Sequence, residues 1–106
     1  MPKYMIAANY THEGMKGVRE KGAKSRLDAV SAAIEGLGGT LESFHFAFGE
    51  TDVYVIADMP DDEGAAAIAL AVSASGAVTM STTKLLTIEQ VDEALNRSVK
   101  YTPPGA

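Results

Sequence analysis

The chain contains no cysteine and no tryptophan, and only two histidines and four prolines. Without cysteine, disulfides, thiolate zinc sites, iron–sulfur clusters and cysteine nucleophiles are all excluded. Basic charge is also scarce. Nine Lys and Arg stand against 14 Asp and Glu, a formal net charge of −5, with a pI of about 4.9. No concentrated basic face of the kind nucleic acid requires can be built from that balance. Gly64 to Thr83 is uncharged and long enough on paper to span a bilayer. Ala, Ser, Thr and Gly dominate it, however, and Gly76 near its middle marks a helix end, so it reads as a buried helix followed by a strand. Met1 to Ile6 lacks the apolar core of a signal peptide, and no lipidation motif is present. The expectation is a cytoplasmic protein without membrane or nucleic-acid partners.

What the chain does have is apolar content. Of its 106 residues 46% are hydrophobic, and a mean hydropathy of +0.02 suits one globular domain over 1–106. Residues 101–106, with Pro103-Pro104-Gly105, read as an irregular tail.

Lys3 to Asn9 reads as a strand with apolar residues on both sides. Thr11 is a plausible N-cap for a weak, glycine-interrupted helix over Glu13 to Gly22. From Ala23 the pattern firms: Leu27, Val30, Ile34 and Leu37 recur at helical steps until Gly38-Gly39 ends the run. Thr40 to Phe48 is a strand with Phe44, Phe46 and Phe48 on one side and Leu41, Ser43, His45 and Ala47 on the other. Gly49 to Asp52 turns it into a second strand, Val53 to Asp58, forming a hairpin. Pro60-Asp61-Asp62-Glu63 opens a helix that runs to Gly76, its carboxylates facing the positive end of the macrodipole. Val78 to Leu86 is the last strand. Thr87 to Gln90 matches a capping box, and Ile88, Val91 and Leu95 make a short amphipathic C-terminal helix.

The order βαββαβ predicts an α+β fold, the ferredoxin-like sandwich, with both main helices on one face of an antiparallel sheet. Apolar residues on both sides of the first three strands would then leave a wide apolar face uncovered. Self-association, sheet face against sheet face, is the expected remedy, and a homodimer or larger homo-oligomer the expected particle.

Tyr10-Thr11 with Gly14, Arg26, Gly38-Gly39, Gly49 with Asp52, Pro60-Asp61-Asp62 and the Ala69–Ala74 run resemble the GYD-domain family of small bacterial and archaeal proteins. The resemblance covers about Tyr4 to Thr83 and implies a dimeric α+β-barrel type of ferredoxin-like fold. It implies no settled catalytic residues. Where the family's Gly, Tyr, Asp signature has tyrosine before the aspartate, this chain has Thr51.

Candidate chemistry is sparse. His45, on the face opposite the phenylalanines, is placed to act as a base or ligand group, or as a hydrogen-bonded interface histidine. Asp52, at the turn, is a candidate base or anchor; its ordinary role is to accept from backbone N–H groups. Tyr10, His12 and Tyr54 complete the candidate ligand-binding set. His12 with His45 and a carboxylate such as Glu13 or Asp52 lacks local metal-ligand spacing, so no metal and no cofactor are expected. Lys16, Arg19, Lys21, Lys24 and Arg26 are the one basic concentration, suited to an acidic ligand or to a solvated helix face. Asp61, Asp62 and Glu63 answer to the helix dipole.

Three functions follow: a small-molecule binding or sensing domain with a cavity between sheet faces, a structural or interaction module, and a cofactor-independent oxygenase- or isomerase-like enzyme with His45 as base and Tyr10 or Asp52 orienting it. The last rests on fold analogy alone.

Overall fold

A computed structural model describes residues 1–106. The elements run β1 (Lys3–Tyr10), α1 (His12–Lys21), α2 (Ala23–Gly36), β2 (Thr40–Phe46), β3 (Val53–Asp58), α3 (Asp62–Ala74), β4 (Val78–Leu85) and α4 (Ile88–Leu95). The four strands form one open antiparallel sheet in the order β2-β3-β1-β4.

Local chemistry sets the boundaries. Thr11 caps α1 by accepting from the Gly14 N–H, and Gly22, at φ 88°, breaks α1 from α2 with a backbone that only glycine adopts freely. Asp61 caps α3 by accepting from the Gly64 N–H, while Asp62 and Glu63 sit in the first turn. Both bonds of the Thr87–Gln90 capping box are present.

One sheet face carries the core. Tyr4, Val53, Val55 and Ala57 meet Ile34 of α2 and Ala65 and Ile68 of α3, with Met59 beneath them. Phe44 packs at the margin of this cluster, and Phe46 points to the same side, stacked on Tyr10. Two expectations are corrected here. Leu41 joins the phenylalanine face instead of opposing it, because a register shift between Leu41 and Ser43 inserts Glu42 as an extra residue and resets the alternation. The strand also stops at Phe46, and Phe48, beyond it, is fully exposed.

The opposite face has no helix over it. It presents Lys3, Met5, Ala7 and Asn9 of β1, Tyr54 and Ile56 of β3, Ser43 and His45 of β2, and Thr79, Ser81, Thr83 and Leu85 of β4. Its centre is apolar, its β4 margin is hydroxyl-rich, and one end is ionic. There the Lys3 ammonium reaches Glu42 at 2.6 Å and Asp58 at 2.9 Å.

From Leu86 to Ala106 every residue is exposed. The apolar row of α4 is therefore unpartnered, with Ile88 and Leu95 each about three-quarters exposed. The chain is correspondingly extended: its radius of gyration is 16.9 Å, against about 13 Å for a compact domain of this length. No helix is long and apolar enough to cross a membrane.

Candidate functional site

The hairpin places His45 directly opposite Tyr54 on the uncovered face. Both side chains are exposed, on strands whose neighbouring open-face residues are Ser43 and Ile56. His45 makes no hydrogen bond within the chain, so nothing fixes its tautomer or ring orientation.

Asp52 and Tyr10 are brought together, but not around His45. The Tyr10 N–H donates to the Asp52 carboxylate at 3.0 Å, while the Asp52 N–H donates to Asn9 Oδ1 at 2.8 Å. Asp52 thus fastens the end of β1 to the hairpin, the backbone-satisfying role expected of a carboxylate at a turn. The Tyr10 ring lies on the helix side, 6.3 Å from Phe46 between centroids. Neither residue is positioned to orient the histidine. His12, the first residue of α1, is exposed and apart from the other four. No three His, Asp or Glu side chains gather as a metal site.

The basic run divides. Lys16, Arg19, Lys21 and Lys24 are exposed, and Lys24 pairs with Asp28 at 3.1 Å. Arg26 alone turns inward, beneath α2.

At the far end of the sheet, on the helix side, lies a polar cluster that no local sequence pattern assembles. The Tyr4 hydroxyl donates to the Asp62 carboxylate, which also pairs with the Lys84 ammonium at 3.0 Å. The bond to Asp62, followed by desolvation, pushes the Tyr4 hydroxyl up to about 12 from 10.0. The bonds from Tyr4 and then Lys84 hold Asp62 below its ordinary 3.8. This cluster ties the start of α3 to β1 and β4, and a phenol so reluctant to ionise is no general base.

Its pH behaviour follows by linkage. Folding raises the Tyr4 pKa, so its contribution is complete below pH 10 and is lost as pH rises through 12. Folding lowers the Asp62 pKa, so that contribution is present above pH 3.8 and is lost as pH falls further. Tyr4→Phe is expected to lower the urea midpoint by a constant amount from about pH 5 to 9 and by less at both extremes. A gap between variant and wild type that does not narrow towards pH 12 would contradict this assignment.

An open antiparallel sheet with helices on one face and a bare second face defines an α+β domain. The chain belongs to the GYD domain family, which it matches over residues 4–95. That span reaches past the expected limit at Thr83 and takes in all of α4. No curated protein and no solved structure is significantly similar to it.

Proposed function

We propose that the chain is a ferredoxin-like subunit of a homo-oligomer, of the dimeric α+β-barrel type, whose open sheet faces pack on one another and enclose a small-molecule cavity. The carrying observation is the bare face itself, with Met5, Ala7 and Ile56 half-buried and Tyr54 exposed at its centre. Surface area supports the same reading. The chain exposes 7380 Å², where a compact monomer of its mass exposes about 5,700 Å². The excess exceeds the roughly 800 Å² per partner that a standard interface buries. The eight residues of α4 are too few for a helix stable in water by itself, so its apolar row needs a second copy's surface.

In this reading His45 and Tyr54 line the cavity between chains, with Asp52 at the strand end that forms its mouth, while the Tyr10 ring on the helix side and His12 on α1 lie outside it. A second reading, assembly without a ligand between the faces, is favoured by the large concavities all lying on the helix side. The enzyme reading is the weakest, because His45 has no orienting partner.

Ile56→Lys separates the readings by native mass spectrometry. The substitution plants a charge in the centre of the face while leaving the core side of β3 unchanged. The wild type is expected as an oligomer and the variant as mostly 11.1 kDa subunits. A small molecule present in the oligomer and lost with Ile56→Lys supports the cavity. An oligomer that survives the substitution removes this face from the interface.

A further inference from the structure

Arg26, Val30 and Ile34 lie four residues apart on α2 and form the row it turns towards the sheet. Ile34 is core, Val30 packs beside it, and the third member of the row is an arginine. Arg26 Nε is buried without any acceptor, and the guanidinium makes no ion pair in the chain. Glu13 lies along the same concavity and does not pair with it. Buried donors almost always have partners, so an unpaired guanidinium in a cavity wall marks where an acceptor from outside would sit.

Two concavities meet at this residue. The larger, about 390 Å³, lies between α1, the start of α2, the end of α3 and Ala77–Val78. The smaller, about 50 Å³, runs beneath α2 and has eleven hydrophobic residues and Arg26 in its wall. They share Tyr10, Arg26, Val72 and Val78. Together they offer a solvent-open polar end, an apolar end, and a guanidinium at the junction.

The electrostatics select an anion of low charge. Lys21 and Arg26 face Glu13 across the larger concavity, leaving one positive charge in excess. α2 begins at Gly22 without a side-chain cap, so the positive end of its dipole adds to the same field. On the α1 side the backbone donors are already taken, Gly14 N–H by Thr11, Thr11 N–H by Ala77 and Tyr10 N–H by Asp52, while the first N–H groups of the uncapped α2 stay open to an anion. A phosphate's double charge would meet only one positive charge in excess. A carboxylate needs only the paired Nη–H donors of Arg26, which are neither buried nor bonded within the chain.

We infer that the larger concavity is a binding site for an organic monocarboxylate with a compact apolar body, its carboxylate on Arg26 and its body against Val18, Val72 and Val78. The site lies on the opposite side of the sheet from the proposed oligomer interface and does not depend on it.

Titration of ¹⁵N-labelled protein with phenylacetate, hexanoate, phenylacetamide and inorganic phosphate tests it. At least one carboxylate is expected to give saturable shifts at the amides of Arg26, Val72 and Val78, and to raise the melting temperature. Phenylacetamide and phosphate are expected to bind at least about tenfold more weakly, the loss of a charge-assisted pair. Arg26→Met keeps the apolar stem and is expected to fold and to lose the carboxylate response. Arg26→Lys, which keeps charge without the fork, is expected to retain part of it. No saturable response to either carboxylate at millimolar concentration, an equal response in a folded Arg26→Met, or phosphate binding as well as the carboxylates would overturn the assignment.

Discussion

Ile34→Ala is expected to destabilise the fold by about 3 kcal/mol, the middle of the range for truncating a buried isoleucine. Ile34 is 1% exposed and is the one buried residue of α2. It and Met59 are the largest fully buried side chains, in a chain with ten buried residues of 106. Its Cγ2 lies within 3.0 Å of where a Cβ on Gly39 would sit, so the close turn after α2 is built around it. Truncation removes packed contacts from this cluster and leaves a cavity in it. Total stability for a domain of this size is about 5–15 kcal/mol, so the loss is a large share. Urea unfolding at fixed protein concentration should show a lowered midpoint with unchanged slope. A loss below about 1 kcal/mol would mean that α2 is held by something other than this contact.

Gly14→Ala is expected to destabilise by about 2 kcal/mol, although alanine is the better helix former by about 1 kcal/mol. A Cβ at Gly14 would lie 2.0 Å from the Ala77 carbonyl oxygen and 3.0 Å from its carbon. Backbone cannot yield as a side chain does. The start of α1 would have to leave the turn between α3 and β4, breaking the bonds from Thr11 to the Ala77 carbonyl at 3.0 Å and to the Gly76 carbonyl at 2.9 Å. Gly17 is the control, three residues along the same helix, with nothing within 4 Å of where its Cβ would sit. Gly17→Ala is expected to stabilise by about 0.5–1 kcal/mol. The two substitutions should therefore move the melting temperature in opposite directions. Equal shifts would mean that α1 does not rest on the turn before β4.

The contrast between those glycines shows what the sequence conveyed and what it withheld. Element order was legible throughout, because strand alternation, the Gly38-Gly39 exit and the caps at Thr11, Asp61 and Thr87 act over a few residues. The helical pattern of α2 was legible as a stripe of Leu27, Val30, Ile34 and Leu37. Within it, Leu27 and Leu37 stay more than one-third exposed, while Arg26 takes a place in the sheet-facing row. Periodicity reads hydrophobicity, so it could not identify a charged side chain pointing inward. Nor could it show the extra residue at Glu42 that moves Leu41 to the other face. His45 and Tyr54 were each legible as polar strand residues, but not as a pair, because the strand expected to reach Phe48 ends at Phe46 and shifts the register. Asp52 bonding to Tyr10, 42 residues away, and Tyr4 to Asp62, 58 away, depend on tertiary placement that no local pattern encodes.

The C-terminal segment carries the same lesson. Its helix was readable from the capping box and the Ile88, Val91, Leu95 row, yet whether that row would cover the chain's own sheet was not. It does not cover it, and the family match through Leu95 makes α4 part of the domain. The proposed homo-oligomer would cover both the sheet face and the helix row that this domain leaves bare.

Multi-angle light scattering on the purified chain, over a dilution series through the micromolar range, tests that claim most directly. The expected mass is twice 11.1 kDa or a higher multiple. A single-subunit mass of 11.1 kDa at every concentration would contradict it.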